Sequence, residues 1–143
     1  MISVYTMEGV KKYEFAAFGD NINGGLDVAL VDTNDDGIME IATVPVSQLS
    51  GHVKIFEYTG LLLREWDSYG PNFQLGASIS VADINKDLRP EIIVGPGAGG
   101  GPHVRVFATD GTLSHEFFAG EVGESSGAIV DFFDIDADQS PVS

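Results

Sequence analysis

The sequence predicts an all-β fold of the β-propeller type, in which four-stranded antiparallel sheets recur as blades. Three observations lead to this prediction: an internal repeat with a period of 51 residues, four strand-like runs in every period, and glycines at the turns between them. No segment combines the 3.6-residue periodicity of an amphipathic helix with helix-capping residues. A solenoid of helix pairs is therefore excluded. A β-sandwich is the remaining alternative, although it would not explain so regular a period.

The repeat is visible when the sequence is compared with itself after a shift of 51 residues. Residues 53–56 then fall on residues 104–107 and, in the other direction, on residues 2–5. Three further sets of positions match: a glycine, a glutamate followed by an aromatic residue, and an aspartate. They are Gly9, Gly60 and Gly111; Glu14, Glu65 and Glu116, followed by Phe15, Trp66 and Phe117; and Asp32, Asp83 and Asp134. We interpret the three aromatic residues as core between blades.

The strand-like runs are short, rich in Val, Ile, Phe and Tyr, and bounded by Gly, Asn, Asp and Pro. They span residues 26–31, 40–44, 52–58 and 61–67 in one unit, and 77–82, 91–94, 103–108 and 113–118 in the next. The shorter runs at residues 2–6, 11–16 and 128–133 belong to incomplete units at either end.

These units form one segment of an incomplete ring. Residues 1–20 supply the second half of a blade, residues 21–71 and 72–122 two full blades, and residues 123–143 the first strand and acidic loop of a further blade. Propellers usually close with four to eight blades. We therefore expect the ring to be completed by a longer chain or by neighbouring copies that complete each other's blades.

The composition excludes several classes of function. The 143 residues include 22 acidic and 7 basic side chains, for a formal net charge of -15. A nucleic-acid or anionic-membrane surface would need the opposite charge. There is no cysteine, so disulfides, zinc–thiolate sites and thiol nucleophiles are excluded. No apolar run is long enough to span a bilayer, and residues 1–5 have the pattern of a strand and not of a signal peptide.

An acidic loop follows the first strand of each blade. In residues 32–40 and 83–91, oxygen-bearing side chains occupy positions 1, 3, 5 and 9, and the carbonyl at position 7 can add a ligand. A hard cation such as calcium takes six to eight oxygen ligands in flexible geometry. The predicted ligands are Asp32, Asn34, Asp36, Ile38 and Glu40 in the first loop, and Asp83, Asn85, Asp87, Arg89 and Glu91 in the second.

The loops differ at the positions that shape them. Gly37 allows a sharp bend in the first loop, whereas Leu88 stands at the same position in the second. A third loop keeps carboxylates at Asp134, Asp136 and Asp138 but has Val142 in place of the closing acid. An Asp-rich hairpin without metal is the alternative for any single loop. Without a bound ion, we expect the crowded carboxylates to raise one another's pKa.

At these residues the sequence resembles the FG-GAP/VCBS repeats, which build the propeller of integrin α-subunits and occur in many secreted bacterial proteins. The elements that carry the resemblance are the acidic loops, Phe18-Gly19 and Tyr69-Gly70 before the first strands, and the glycine-rich run at residues 94–99. The resemblance implies calcium at the loop residues named above. It also implies a role in adhesion, ligand binding or assembly at the cell surface or outside the cell.

Other motifs support catalysis poorly, and we predict that the chain is not an enzyme. Residues 95–100 satisfy the spacing G-x-G-x-x-G, but a strand and not a helix follows, which argues against nucleotide binding. His52 and His103 recur at one repeat position and are interpreted as packing or turn-bonding residues. The alternative function is an auxiliary or carbohydrate-binding propeller domain of a larger secreted hydrolase, with Trp66 as a candidate sugar-stacking residue.

Overall fold

Ten β-strands form three antiparallel sheets in the computed structural model, which describes residues 1–18, 25–46, 51–70, 75–84, 86–97 and 103–118. Within these ranges there is no helix, and hence none that could cross a membrane. The strands are β1 (Ile2–Tyr5), β2 (Lys11–Phe15), β3 (Leu26–Val31), β4 (Glu40–Pro45), β5 (His52–Phe56), β6 (Leu62–Asp67), β7 (Ala77–Ala82), β8 (Glu91–Pro96), β9 (His103–Phe107) and β10 (Leu113–Phe118).

The sheets follow the chain order. The first sheet contains β1 and β2, the second runs β3-β4-β5-β6, and the third runs β7-β8-β9-β10. The described strands do not close into a barrel. Two four-stranded antiparallel sheets, each built of consecutive strands, confirm that part of the prediction.

Burial differs between the strands of a sheet in a way that follows their composition. The second strands β4 and β8 are buried throughout and read as nearly continuous apolar runs, which is expected of strands covered on both faces. The fourth strands β6 and β10 carry charged residues and are exposed along almost all of their length. Each four-stranded sheet therefore has a buried interior and a solvated outer edge.

The hairpins that join the outer two strands of each sheet share one turn. Gly9, Gly60 and Gly111 have φ angles of 85°, 103° and 92°, which favour glycine. Their N–H groups donate to the carbonyl oxygens of Thr6, Glu57 and Ala108 at 2.9 to 3.0 Å. The predicted strands extend one or two residues further than the observed ones, because Thr6 and Tyr58 have strand-forming side chains. The turn overrides that preference.

The main core lies between the second and third sheets. Val44, Val53 and Ile55 of the second sheet pack with Ile92 and Val94 of the third, and all five are fully buried. A smaller cluster around Ile2, Ala17, Ile41 and Phe56 joins the first sheet to the second. Successive sheets are therefore stacked face to face, and the apolar surface that they bury is the dominant stabilising contribution.

Polar contacts accompany this packing. Asp27 Oδ2 on β3 accepts a hydrogen bond from the backbone N–H of Ile79 on β7 at 2.9 Å. Burial raises the pKa of Tyr69, although the positive charge of Arg105 opposes that shift. The Tyr69 hydroxyl lies 2.9 Å from the carbonyl oxygen of Val94 and also contacts that of His103, so its single hydrogen is shared between two acceptors. These bonds tie the loop after β6 to the next sheet.

Candidate metal site

The first acidic loop begins with Asp32, directly after β3, and ends with Glu40, the first residue of β4. Asp32 Oδ1 accepts a hydrogen bond from the N–H of Asp36 at 3.2 Å, and its Oδ2 accepts one from the N–H of Gly37 at 2.9 Å. Asp36 Oδ1 accepts one from the N–H of Ile38 at 2.8 Å. The loop is thus folded around its own carboxylates.

The second loop repeats these contacts with little variation. Asp83 Oδ1 accepts a hydrogen bond from the N–H of Asp87 at 3.2 Å, and its Oδ2 accepts one from the N–H of Leu88 at 2.8 Å. The N–H of Arg89 donates to Asp87 Oδ1 at 2.8 Å. The described residues of the two loops therefore share one set of backbone hydrogen bonds despite their different side chains.

Among the described residues, two in each loop adopt positive φ angles. Gly37 and Leu88 have φ angles of 80° and 67°, so Leu88 adopts the left-handed conformation of the glycine at the equivalent position. Asp35 and Lys86, two residues earlier in each loop, have φ angles of 59° and 62°, which the sequence analysis did not predict. A residue other than glycine is strained at a positive φ angle because of its Cβ atom. The hydrogen bonds that the first aspartate of each loop accepts stabilise this backbone conformation.

The closing glutamates are buried beneath the loops. Glu40 and Glu91 are 4% and 5% exposed. Glu40 Oε2 accepts hydrogen bonds from the N–H and the hydroxyl of Thr33 at 2.7 and 2.8 Å, and Glu91 Oε1 accepts one from the N–H of Ile84 at 3.0 Å. Sequence reasoning missed the residue after the first aspartate, since its contribution is a backbone N–H that any residue except proline supplies.

The carboxylates of each loop converge on one point. One oxygen from each of Asp32, Asp36 and Glu40 lies within 4.8 Å of the others, and the same holds for Asp83, Asp87 and Glu91. Opposite ligands of a calcium-sized ion are separated by about 4.6–5.2 Å, so each group can contact a single ion. A carboxylate oxygen that accepts one N–H keeps a second lone pair for a metal. Both groups can therefore hold a metal ion.

The expectation of raised pKa values is wrong for Asp32. Partial desolvation raises the pKa of its carboxyl, but hydrogen bonds from the backbone N–H groups of the loop, led by those of Gly37 and Asp36, lower it below its ordinary value. These donors stabilise the anion, which is the form that binds a cation. The loop is therefore prepared for a metal ion without depending on one to keep Asp32 ionised.

The loops differ in charge. Residues 32–40 contain four acidic and no basic side chains, for a formal charge of -4, whereas residues 83–91 contain three acidic and two basic ones, for a charge of -1. Both loops border one open cleft of about 390 Å³, lined by Asp32, Asn34, Asp87 and Arg89 among others. Because its formal charge is more negative, the first loop attracts a cation more strongly than the second loop does.

The remaining predicted ligands are only partly described. Asn34 Oδ1 accepts a hydrogen bond from the N–H of Asp36 at 3.3 Å, so its oxygen lies inside the first loop. Asn85, Asp134, Asp136 and Asp138 lie outside the described residues. The carbonyl ligands predicted at Ile38 and Arg89 stay predictions.

The recurring histidine and aromatic positions have mainly structural contacts. His52 lies between two carboxylates, with Nε2 2.8 Å from Glu65 and Nδ1 2.7 Å from Asp67. The Trp66 ring packs on Phe107 with 5.5 Å between ring centroids. Since this ring is a packing partner of the next sheet, its contacts support the core interpretation.

No protein-family model matches this sequence, and searches of curated proteins and of solved structures return no match. The class that the described residues define is an all-β chain of stacked antiparallel sheets with two acidic, metal-competent loops.

Proposed function

We propose that this chain is a non-enzymatic, calcium-binding repeat protein of the β-propeller type that serves as a binding, adhesion or assembly module outside the cell. The observation that carries the proposal is the recurrence of one loop, with the same hydrogen bonds and the same converging carboxylates, at the same place in two successive sheets. A chance acidic turn would not be built twice in this way.

Calcium is the metal that these loops favour. Their ligands are oxygens alone, which suit calcium or magnesium and not zinc or copper. Magnesium demands a near-ideal octahedron and keeps several of its waters, whereas calcium accepts irregular cages with carboxylate and carbonyl ligands. A millimolar concentration of calcium, typical outside cells, would also fill a weak site such as the second loop.

The propeller arrangement is supported by the repeated packing between sheets. Lys54 Nζ donates to the carbonyl oxygen of Ala17 at 2.9 Å, and Arg105 donates to that of Ser68 at 2.7 Å. Each pair joins the third strand of one sheet to the end of the preceding sheet. Equivalent contacts between each sheet and the next are expected of propeller blades, which repeat around one axis. The resemblance to FG-GAP/VCBS repeats is part of the same proposal.

The test is the melting temperature of the chain after treatment with EDTA and again after addition of calcium or magnesium. Ions that bind only the folded chain stabilise it by about 2.7 kcal/mol per site at a concentration one hundred times the dissociation constant. We expect a clear rise with calcium and a smaller one with magnesium. Asp32→Asn should remove more of the rise than Asp83→Asn, because the first loop is more acidic.

The control is Glu8→Gln, which removes one negative charge from the exposed β1–β2 turn. It should leave the calcium response unchanged. The proposal fails if calcium does not raise the melting temperature, or if the control reduces the response as much as the two loop variants do.

A further inference from the structure

The contacts between successive sheets include an aromatic pair that occurs twice. Phe15, on the outer strand of the first sheet, packs on Phe56 of the second with 4.9 Å between ring centroids. Trp66, on the outer strand of the second sheet, packs on Phe107 of the third at 5.5 Å. Phe56 and Phe107 are consequently 5% and 4% exposed. The outer strands of the first and second sheets thus each supply a ring to the sheet that follows.

A glycine completes the surface that receives each ring. A Cβ atom added to Gly60 would lie 3.0 Å from the ring of Phe15, and one added to Gly111 would lie 3.0 Å from the ring of Trp66. The hairpin glycines therefore have a packing role as well as a turn role. We call this the receiving surface: an aromatic residue at the end of the third strand of a sheet and a glycine four residues later, namely Phe56 with Gly60 and Phe107 with Gly111.

The third sheet carries the same donor ring without a described partner. Phe117, at the position of Phe15 and Trp66, is 43% exposed. By contrast, Ile93, Val104 and Val106 of the same sheet are fully buried. The outer strand β6 of the preceding sheet is as exposed as β10 along most of its length, so the two strands differ at the ring position, where Trp66 is partly buried and Phe117 is exposed.

The first sheet carries the matching receiving surface, and it is open. Tyr5 stands at the position of Phe56 and Phe107 and is 56% exposed. Gly9 stands at the position of Gly60 and has a φ angle of 85°, but a Cβ atom added to it would meet nothing within 4 Å. A donor surface and its complement therefore lie exposed on opposite ends of the stacked sheets.

We propose that the β10 surface around Phe117 docks on the β1–β2 sheet of a second copy of this chain, with Phe117 packed against Tyr5 and Gly9. The contact continues the interface that joins the first sheet to the second and the second to the third. It is heterologous, so repetition closes into a ring or extends into a filament. The inference rests on the repeated sheet packing of the proposed function, not on calcium.

The test is sedimentation velocity of the chain from low micromolar to near-millimolar concentration, at physiological salt, which screens the net charge of -15. The wild-type chain should associate as concentration rises. Phe117→Glu and Tyr5→Glu should each abolish association. A mixture of the two variants should form a one-to-one dimer and nothing larger, because each variant keeps one intact surface.

The matched control is Leu61→Glu, which adds the same charge in the β5–β6 hairpin at a position that is 58% exposed. Threonine stands at the equivalent position of the next hairpin, Thr112, so a polar residue is tolerated there. This variant should associate like the wild type. Phe117→Ser provides a second, uncharged variant, and the melting temperature of every variant confirms that it is folded.

Three results would overturn the inference. They are a wild-type chain that stays monomeric at all concentrations, association that survives Tyr5→Glu, and a mixture of the two variants that does not form the dimer. A symmetric contact of Phe117 with Phe117 would give the second result. Calcium stabilisation of a strictly monomeric chain would leave the proposed function in place, so the two failures are distinguishable.

Discussion

Replacing Gly111 by alanine measures the contact between the second and third sheets directly. The new Cβ atom would lie 3.0 Å from Cε3 of the Trp66 ring, whereas a Cβ atom on Gly9 meets nothing within 4 Å. The two glycines have similar φ angles of 92° and 85°. Gly9→Ala is therefore a matched control that keeps the backbone strain and omits the collision.

The magnitudes follow from these two terms. A left-handed conformation costs an alanine roughly 1–2 kcal/mol, and an overpacked contact costs about 1–3 kcal/mol more. We expect Gly9→Ala to lower the free energy of unfolding by the first amount only. Gly111→Ala should lower it by about 2–5 kcal/mol, the sum of both terms.

The assay is urea unfolding at a low protein concentration, followed by the fluorescence of Trp66, the single tryptophan of the chain. Gly60→Ala should behave like Gly111→Ala, since its Cβ atom would lie 3.0 Å from the Phe15 ring. Equal losses for Gly9→Ala and Gly111→Ala would refute the packing between sheets as described.

Three further substitutions probe other parts of the fold. Asp27→Ala leaves the buried N–H of Ile79 without its acceptor and should lower the free energy of unfolding by about 1–3 kcal/mol; an unchanged urea midpoint would contradict this. Hydrogen bonds from Thr112, first from its side chain and then from its backbone, lower the pKa of Asp110. The ionised carboxylate therefore stabilises the fold at any pH above the ordinary aspartate pKa, and this stabilisation is lost as the pH falls through the lowered pKa. Asp110→Asn should therefore melt below the wild type at neutral pH, with a difference that shrinks in acid; a difference that grows in acid would contradict the assignment. Leu88→Gly removes a left-handed leucine that is 91% exposed and should raise the free energy of unfolding in EDTA by about 0.5–1 kcal/mol, whereas a loss of stability would show that the loop is not strained there.

Much of the fold could be predicted because its strands are local in sequence. The buried strands β4 and β8 are rich in Ile and Val, and the hairpin turns are marked by glycines at a fixed spacing. The acidic loops could be predicted for the same reason, since all their side chains lie within nine consecutive residues. Their shared hydrogen bonds then follow from a shared spacing of aspartates.

Features that depend on distant contacts could not be predicted. The repeat places an aromatic residue at the equivalent positions of Phe15, Trp66 and Phe117, so the sequence predicts the same environment for all three. The exposure of Phe117, however, depends on which residues pack against its sheet. The bond from Ile79 to Asp27 has no repeating pattern to reveal it, since serine stands at the position equivalent to Asp27 in the next sheet.

The left-handed conformation of Lys86 also could not be predicted from the sequence. Lysine has no intrinsic preference for positive φ, and its conformation here is imposed by the loop. The lowered pKa of Asp32 has a similar origin, because it depends on backbone N–H groups that converge only once the loop is folded.

The central claim, that the two acidic loops bind calcium, is tested most directly by an anomalous difference map from crystals grown with calcium and measured at a long wavelength. The account predicts one peak in each loop, about 2.3–2.6 Å from carboxylate oxygens of Asp32 and Asp36 and of Asp83 and Asp87. Loops that keep their hydrogen bonds and show no peak in saturating calcium would contradict it.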